Sequence, residues 1–194
     1  MQIYMDFLAA LTKSFSYIPS DIVGIIRRPV KTLREIRSRK ISDVLVLIFS
    51  MGIFYSVLLS IVIFCNLDIF YSYEFLNFAK PHLWIPIIYG LVIADVFLNT
   101  LFIHVFVIIV EGKNGLFETL KSVSYSSVPT LILGWIPIIG IITTVWALVL
   151  QTIAIRELHE ISTGRAVIAM ILPYIIFICL FVSLFFIPAP FPIF

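Results

Sequence analysis

The sequence predicts an all-α fold: a polytopic transmembrane bundle of five spans behind an N-terminal amphipathic surface arm. Three observations carry this. Residues 44–67, 81–110, 122–155 and 166–194 hold no Asp, Glu, Lys or Arg apart from Asp95. Each run exceeds the roughly 20 residues that cross a bilayer core. Hydrophobic residues make up 61% of the 194, charged residues 12%, and mean hydropathy is +1.14, which excludes an ordinary globular protein. The runs also do not alternate apolar with polar residues. A barrel strand would alternate, so the chain must cross as helices.

The first span is predicted at about 44–64, after a cap at Ser42 or Asp43. The second, 83–110, is long enough to tilt or to run on into the headgroups. The third run of 34 residues would make a helix of about 50 Å against a core of about 30 Å. It reads Gly134-Trp135-Ile136-Pro137-Ile138-Ile139-Gly140 at its middle, where Gly and Pro mark a turn. A hairpin of spans 117–133 and 137–155 follows. The first arm is the weaker, with Ser122, Ser124, Ser126, Ser127 and Pro129 inside it; a re-entrant segment is the alternative. The last span is 166–187, interrupted by Pro173.

Charge placement tests this topology. Lys13, Arg27, Arg28, Lys31, Arg34, Arg37, Arg39 and Lys40 precede the first span, Lys113 and Lys121 precede the hairpin, and Arg156 and Arg165 precede the last span. Twelve of the thirteen basic residues thus fall on the N-terminal side, and only Lys80 falls opposite. The positive-inside rule places the N-terminus in the cytoplasm and the C-terminus outside. The expected location is the cell membrane, or an endomembrane in a eukaryote. The opening residues lack a basic n-region and a cleavage site, so no signal peptide is expected. Cys65 and Cys179 are too few for a disulfide framework.

Residues 1–40 read as a surface arm and 41–194 as the five-helix domain. Met5, Phe7, Leu8, Leu11 and Phe15 line the apolar side of a short interfacial helix. After Pro29, Val30, Leu33 and Ile36 recur every three residues beside Lys31, Arg34 and Arg37. This is either a basic amphipathic helix on an anionic leaflet or a topogenic signal alone.

Two sets of residues invite a chemical role. Asp95 and Asn99 lie one helical turn apart in the second span. An intramembrane carboxylate costs roughly 2.5–3.5 kcal/mol on insertion scales and should face the bundle interior. It is either a proton or cation site or a hydrogen-bonding pin to Gln151, Thr143 or Thr144. His104 falls on the opposite face and reads as a separate packing residue. The second set gathers at the cytoplasmic ends of the spans: Glu111, Lys113 and Glu118 with Arg156, Glu157, His159, Glu160 and Arg165. The spacing of Glu157, His159 and Glu160 matches no metal motif, and there is no nucleophile elbow, phosphate loop or redox cysteine pair. No cofactor, catalytic activity or nucleic-acid partner is expected.

The segments Glu111-Gly112-Lys113-Asn114-Gly115-Leu116-Phe117-Glu118-Thr119-Leu120, Tyr125-Ser126-Ser127-Val128-Pro129, Gly134-Trp135-Ile136-Pro137 and Arg156-Glu157-Leu158-His159-Glu160 through Ala166 resemble the Yip-domain membrane proteins (Ypt/Rab-interacting proteins). Arg28-Pro29-Val30-Lys31-Thr32-Leu33 resembles the short helix that opens that domain. The resemblance covers about residues 22–187. It implies five spans, a cytoplasmic N-terminus, hetero-oligomers, and roles in vesicle trafficking and membrane shaping with small GTPases as partners.

The leading expectation is a non-enzymatic membrane-organising protein. Its cytoplasmic face would combine Arg27, Arg28, Lys31, Arg34 and Arg37 with the loops around Glu111–Lys121 and Arg156–Arg165, and would bind anionic headgroups or a protein partner. A homo-oligomer is a further option. The alternative is a small transporter, channel or lipid-moving protein using Asp95, Asn99 and Gln151 as a polar track. A lipid enzyme with a metal between Glu111, Glu157 and His159 is third.

Overall fold

A computed structural model describes residues 2–65 and 81–186. Eight helices follow in order: α1 (Gln2–Arg27), α2 (Pro29–Ile36), α3 (Ile41–Phe64), α4 (Trp84–Ile109), α5 (Leu116–Ser126), α6 (Val128–Leu133), α7 (Ile139–His159) and α8 (Thr163–Phe186). A 3₁₀ turn, Pro81–Leu83, leads into α4. There is no strand among the described residues. Lys80, the expected end of the last span at Ile187, and the side chains of Phe7 and Leu8 lie outside the described residues.

Five crossing helices are expected, but among the described residues only α3, α4, α7 and α8 are long and apolar enough to cross a membrane. The segment expected at 117–133 is two helices, because Pro129 has no N–H to offer the Tyr125 carbonyl. Its weakness in sequence is resolved by burial. Every residue from Thr119 to Ser126 is buried, against α3, α4 and α7. The serine hydroxyls turn back onto their own helix: Ser122 donates to the Glu118 carbonyl at 2.9 Å, Ser124 to Leu120 at 2.5 Å and Ser127 to Val123 at 2.7 Å. Such back-bonding satisfies a hydroxyl without water.

The α5–α6 segment runs antiparallel to α7 from end to end. At one end the Lys113 N–H donates to the His159 carbonyl at 3.3 Å. At the other, Thr130 Oγ1 donates to the Thr143 carbonyl at 3.2 Å. The turn between them is tight. A Cβ at Gly140 would lie 2.6 Å from the Gly134 carbonyl oxygen, so glycine is required there. Ile138 takes φ 69°, an uncommon left-handed conformation for a β-branched residue.

The arm is part of the same core. Ile18 and Ile25 of α1 and Leu33 and Ile36 of α2 join Val44, Leu47, Ile103 and Ile155 in one buried cluster. Instead of a short interfacial helix, α1 continues through Pro19 for 26 residues. Gly24 allows α1 to close on α2, since a Cβ there would meet Thr32 Oγ1 at 2.6 Å. The other flank of α1 exposes Phe15, Val23 and Ile26. α3 begins at Ile41, earlier than expected, with Lys40 at the N-cap and its N–H donating to Asp43 Oδ2 at 3.1 Å.

Candidate functional site

The charged end is built on two helix stops. Glu111 follows α4 at φ 62° and Glu160 follows α7 at φ 54°. In the first, Gly112 N–H reaches the Val107 carbonyl at 2.8 Å and Glu111 N–H reaches Ile108 at 3.0 Å. This pattern usually takes glycine at the left-handed position. Here both positions hold a glutamate, and each glutamate holds a cation.

Glu111 pairs with Arg165 at 3.1 Å. Glu160 accepts from Arg37 and lies 3.8 Å from Lys113. Glu157 accepts from Arg34 Nε at 2.7 Å and from Arg156 NH2 at 2.5 Å. α2 is therefore fastened across the end of α7 by two arginines one turn apart, above the buried Leu33 and Ile36. These pairs are partly or largely exposed, so each contributes little alone. Among the described residues Lys31 pairs only with Glu35 of its own helix, at 3.8 Å. Arg27 and Arg28 are exposed and form no ion pair among the described residues.

The hydrogen bond and the charge of Arg37 hold the Glu160 carboxyl below its usual range. A carboxyl lowered on folding stabilises the fold above its unfolded pKa of about 4.3, and the contribution is lost as pH falls through the folded value. Acidification from pH 6 to pH 3 is thus expected to loosen α2. Faster amide exchange at Leu33–Ile36 in detergent would report it; unchanged exchange would mean the apolar contacts suffice.

Beneath this surface lies a more buried set. Asp21 of α1 accepts from Arg39 NH2 at 2.8 Å and from the Tyr125 hydroxyl at 3.1 Å. The Arg39 guanidinium stacks 3.6 Å from the centroid of the Tyr17 ring. Lys121 Nζ, 2% exposed, donates to the Arg37 carbonyl at 2.6 Å and to Glu118 Oε1 at 2.9 Å. Thr119 Oγ1 lies 2.8 Å from His104 Nδ1 and 3.0 Å from His159 Nε2. His104 is therefore no separate residue but one end of a buried chain.

The intramembrane residues are arranged otherwise than expected. Asp95 does not face the bundle interior. It is exposed at the rim between two grooves. One, of about 310 Å³, lies between α3, α4 and α6 and is lined by Val92, Ser127 and Thr130 among others. The second, of about 520 Å³, lies between α4 and α8 and is lined by Leu98, Asn99, Phe102, Tyr174 and Phe177. Gln151 is buried elsewhere and lines neither groove. Thr143 and Thr144 donate to the Gly140 carbonyl at 3.0 and 2.8 Å. The expected track and the expected pin are both absent among the described residues, because Asp95 faces grooves shared with α3 and α6 and with α8, which Gln151 does not line.

A family model, the Yip1 domain, matches residues 23–184. The chain belongs to the Yip1-domain family. No curated protein and no solved structure matches it. Membership and the four apolar helices together make this an integral, multi-pass membrane protein.

Within this Yip1 domain, α2, α5 and α7 bring together most of the charged residues singled out in the sequence. Glu111, Glu157 and His159 do not converge; each has its own partners, and His159 is fully buried. Sequence reasoning missed Asp21, Arg39, Tyr125 and Thr119. A signal existed for Asp21, the only acid between Asp6 and Glu35. Thr119 and Tyr125 stand in the family-like segments, but their partners lie on other helices, so their roles were not legible.

Proposed function

We propose that this Yip1-domain protein crosses the membrane five times, with its charged end in the cytoplasm, and acts there as a non-enzymatic membrane-organising protein that docks anionic lipid headgroups. The fifth crossing is α5–α6. Its 18 residues, 116–133, would span about 27 Å, and it accompanies α7 along its length. The observation that carries the lipid reading is the division of labour among the cations. Arg34, Arg37, Arg156 and Arg165 hold protein carboxylates, while Arg27 and Arg28 stand exposed without one among the described residues, next to the exposed Val23 and Ile26. Basic residues beside apolar ones on one helix end suit an anionic leaflet.

Each basic residue near such a surface contributes about 1 kcal/mol, so two would shift docking roughly 30-fold. In proteoliposomes, phosphatidylserine added to phosphatidylcholine is expected to slow amide exchange across residues 22–31. Arg27→Gln/Arg28→Gln should abolish the difference, and salt should weaken it. Identical exchange in the two membranes would remove the lipid reading.

A further inference from the structure

Every acid whose side chain the structure describes has a hydrogen-bond donor or cation partner, with one exception. Asp21 has Arg39 and Tyr125, Asp43 has Ser14, Glu35 has Lys31, and the glutamates 111, 118, 157 and 160 have the cations named above. Asp95 alone, among the described residues, has none. It is also the one described acid that lies within a crossing helix away from its ends. It lies 11 residues after Trp84 and 14 before Ile109, about 17 and 21 Å along the axis from the two ends of α4. A carboxylate at that depth is costly and is a functional-site candidate by default.

The surroundings select a ligand. The two grooves meet at Asp95, and their volumes of about 310 and 520 Å³ fall within the usual range for small-molecule sites. Their walls are mostly apolar. The polar side chains beside Asp95 are Tyr55, Ser127 and Thr130 in one groove and Asn99 and Tyr174 in the other. The Ser127 and Thr130 hydroxyl hydrogens are already committed to the Val123 and Thr143 carbonyls, so their oxygens have only lone pairs to offer. No cation among the described residues pairs with Asp95 to neutralise it. A site with an apolar trough, one carboxylate and two hydroxyl oxygens calls for a donor-rich, positively charged head on an apolar body.

We propose that the grooves around Asp95 form a membrane-facing binding site for a long-chain primary amine or amino alcohol, its ammonium paired with Asp95 and its chain lying in the trough between α4 and α8. Pairing within the groove neutralises both charges where neither is well solvated. This site is distinct from the charged end and does not depend on how that end is used.

The test compares hexadecylamine, hexadecanol and hexadecanoic acid as probes. Each is added to the purified protein in phosphatidylcholine nanodiscs and its binding followed by native mass spectrometry. The amine is expected to bind at least roughly tenfold tighter than the alcohol or the acid. Asp95→Asn should erase that preference, while Asp95→Glu should retain it. The wild-type comparison needs no variant, so a misfolded mutant cannot obscure the answer. Equal binding of the three probes overturns the proposal, as does amine preference that survives in a folded Asp95→Asn protein. A wild-type protein that forms dimers through α4, with no amine bound, also overturns it, since a second copy would then occupy the groove.

Discussion

Replacing Arg39 by alanine is expected to release α1 from the bundle at a cost of about 3 kcal/mol. The Arg39 and Asp21 side chains are 19% and 9% exposed, and removing one partner of a largely buried pair leaves the other charge uncompensated. The Tyr125 hydroxyl would keep only part of Asp21 satisfied, and the Tyr17 ring would lose its stacked cation. The effect should be local. Amides of Ile18–Ile25 should exchange 100-fold faster or more, by roughly 1.4 kcal/mol per tenfold, while those in the middle of α7 stay protected. Arg39→Ala/Asp21→Asn should recover part of the loss, because the stranded charge is gone. If α1 exchanges as in the wild type, the apolar contacts of Ile18 and Ile25 hold it unaided.

Lys121→Met is expected to destabilise the whole bundle by about 3 kcal/mol. Lys121 is enclosed between the α2 C-terminus and Glu118, with its ammonium 4.5 Å from the centre of the Phe117 ring. Its loss strands a partly buried carboxylate and the Arg37 carbonyl together. The paired substitution Lys121→Met/Glu118→Gln should restore most of the stability, since an ion pair replaced as a unit is often close to neutral. Unfolding in sodium dodecyl sulfate, followed by circular dichroism, separates the cases. A single substitution as stable as the wild type would mean that water reaches Glu118 and that the pair is incidental.

Lys121 also shows how far the sequence could be read. In sequence it is one of twelve basic residues on one side of the spans; in the structure it is a core residue. The charge count does not distinguish these roles, because a topological rule registers only which side of the membrane a cation occupies. The serines of α5 show the reverse. They make the segment look unfit for a membrane, yet their hydroxyls are satisfied within one turn of helix, so the segment lies at the bundle's centre.

What the sequence by itself determined about this protein is its solvent, its helical class, its four long apolar helices, the turn at 134–140 and its Yip1 kinship. These follow from local quantities: the transfer cost of each side chain summed over a run, and the backbone limits of glycine and proline. The tertiary structure alone decided which way each helix faces. The crossing helices are apolar on all sides, so their periodicity points nowhere. Only packing against particular neighbours turned Asp95 out to a groove, drew His104 and His159 onto Thr119, buried the serines of α5, and fixed Arg39 to Asp21.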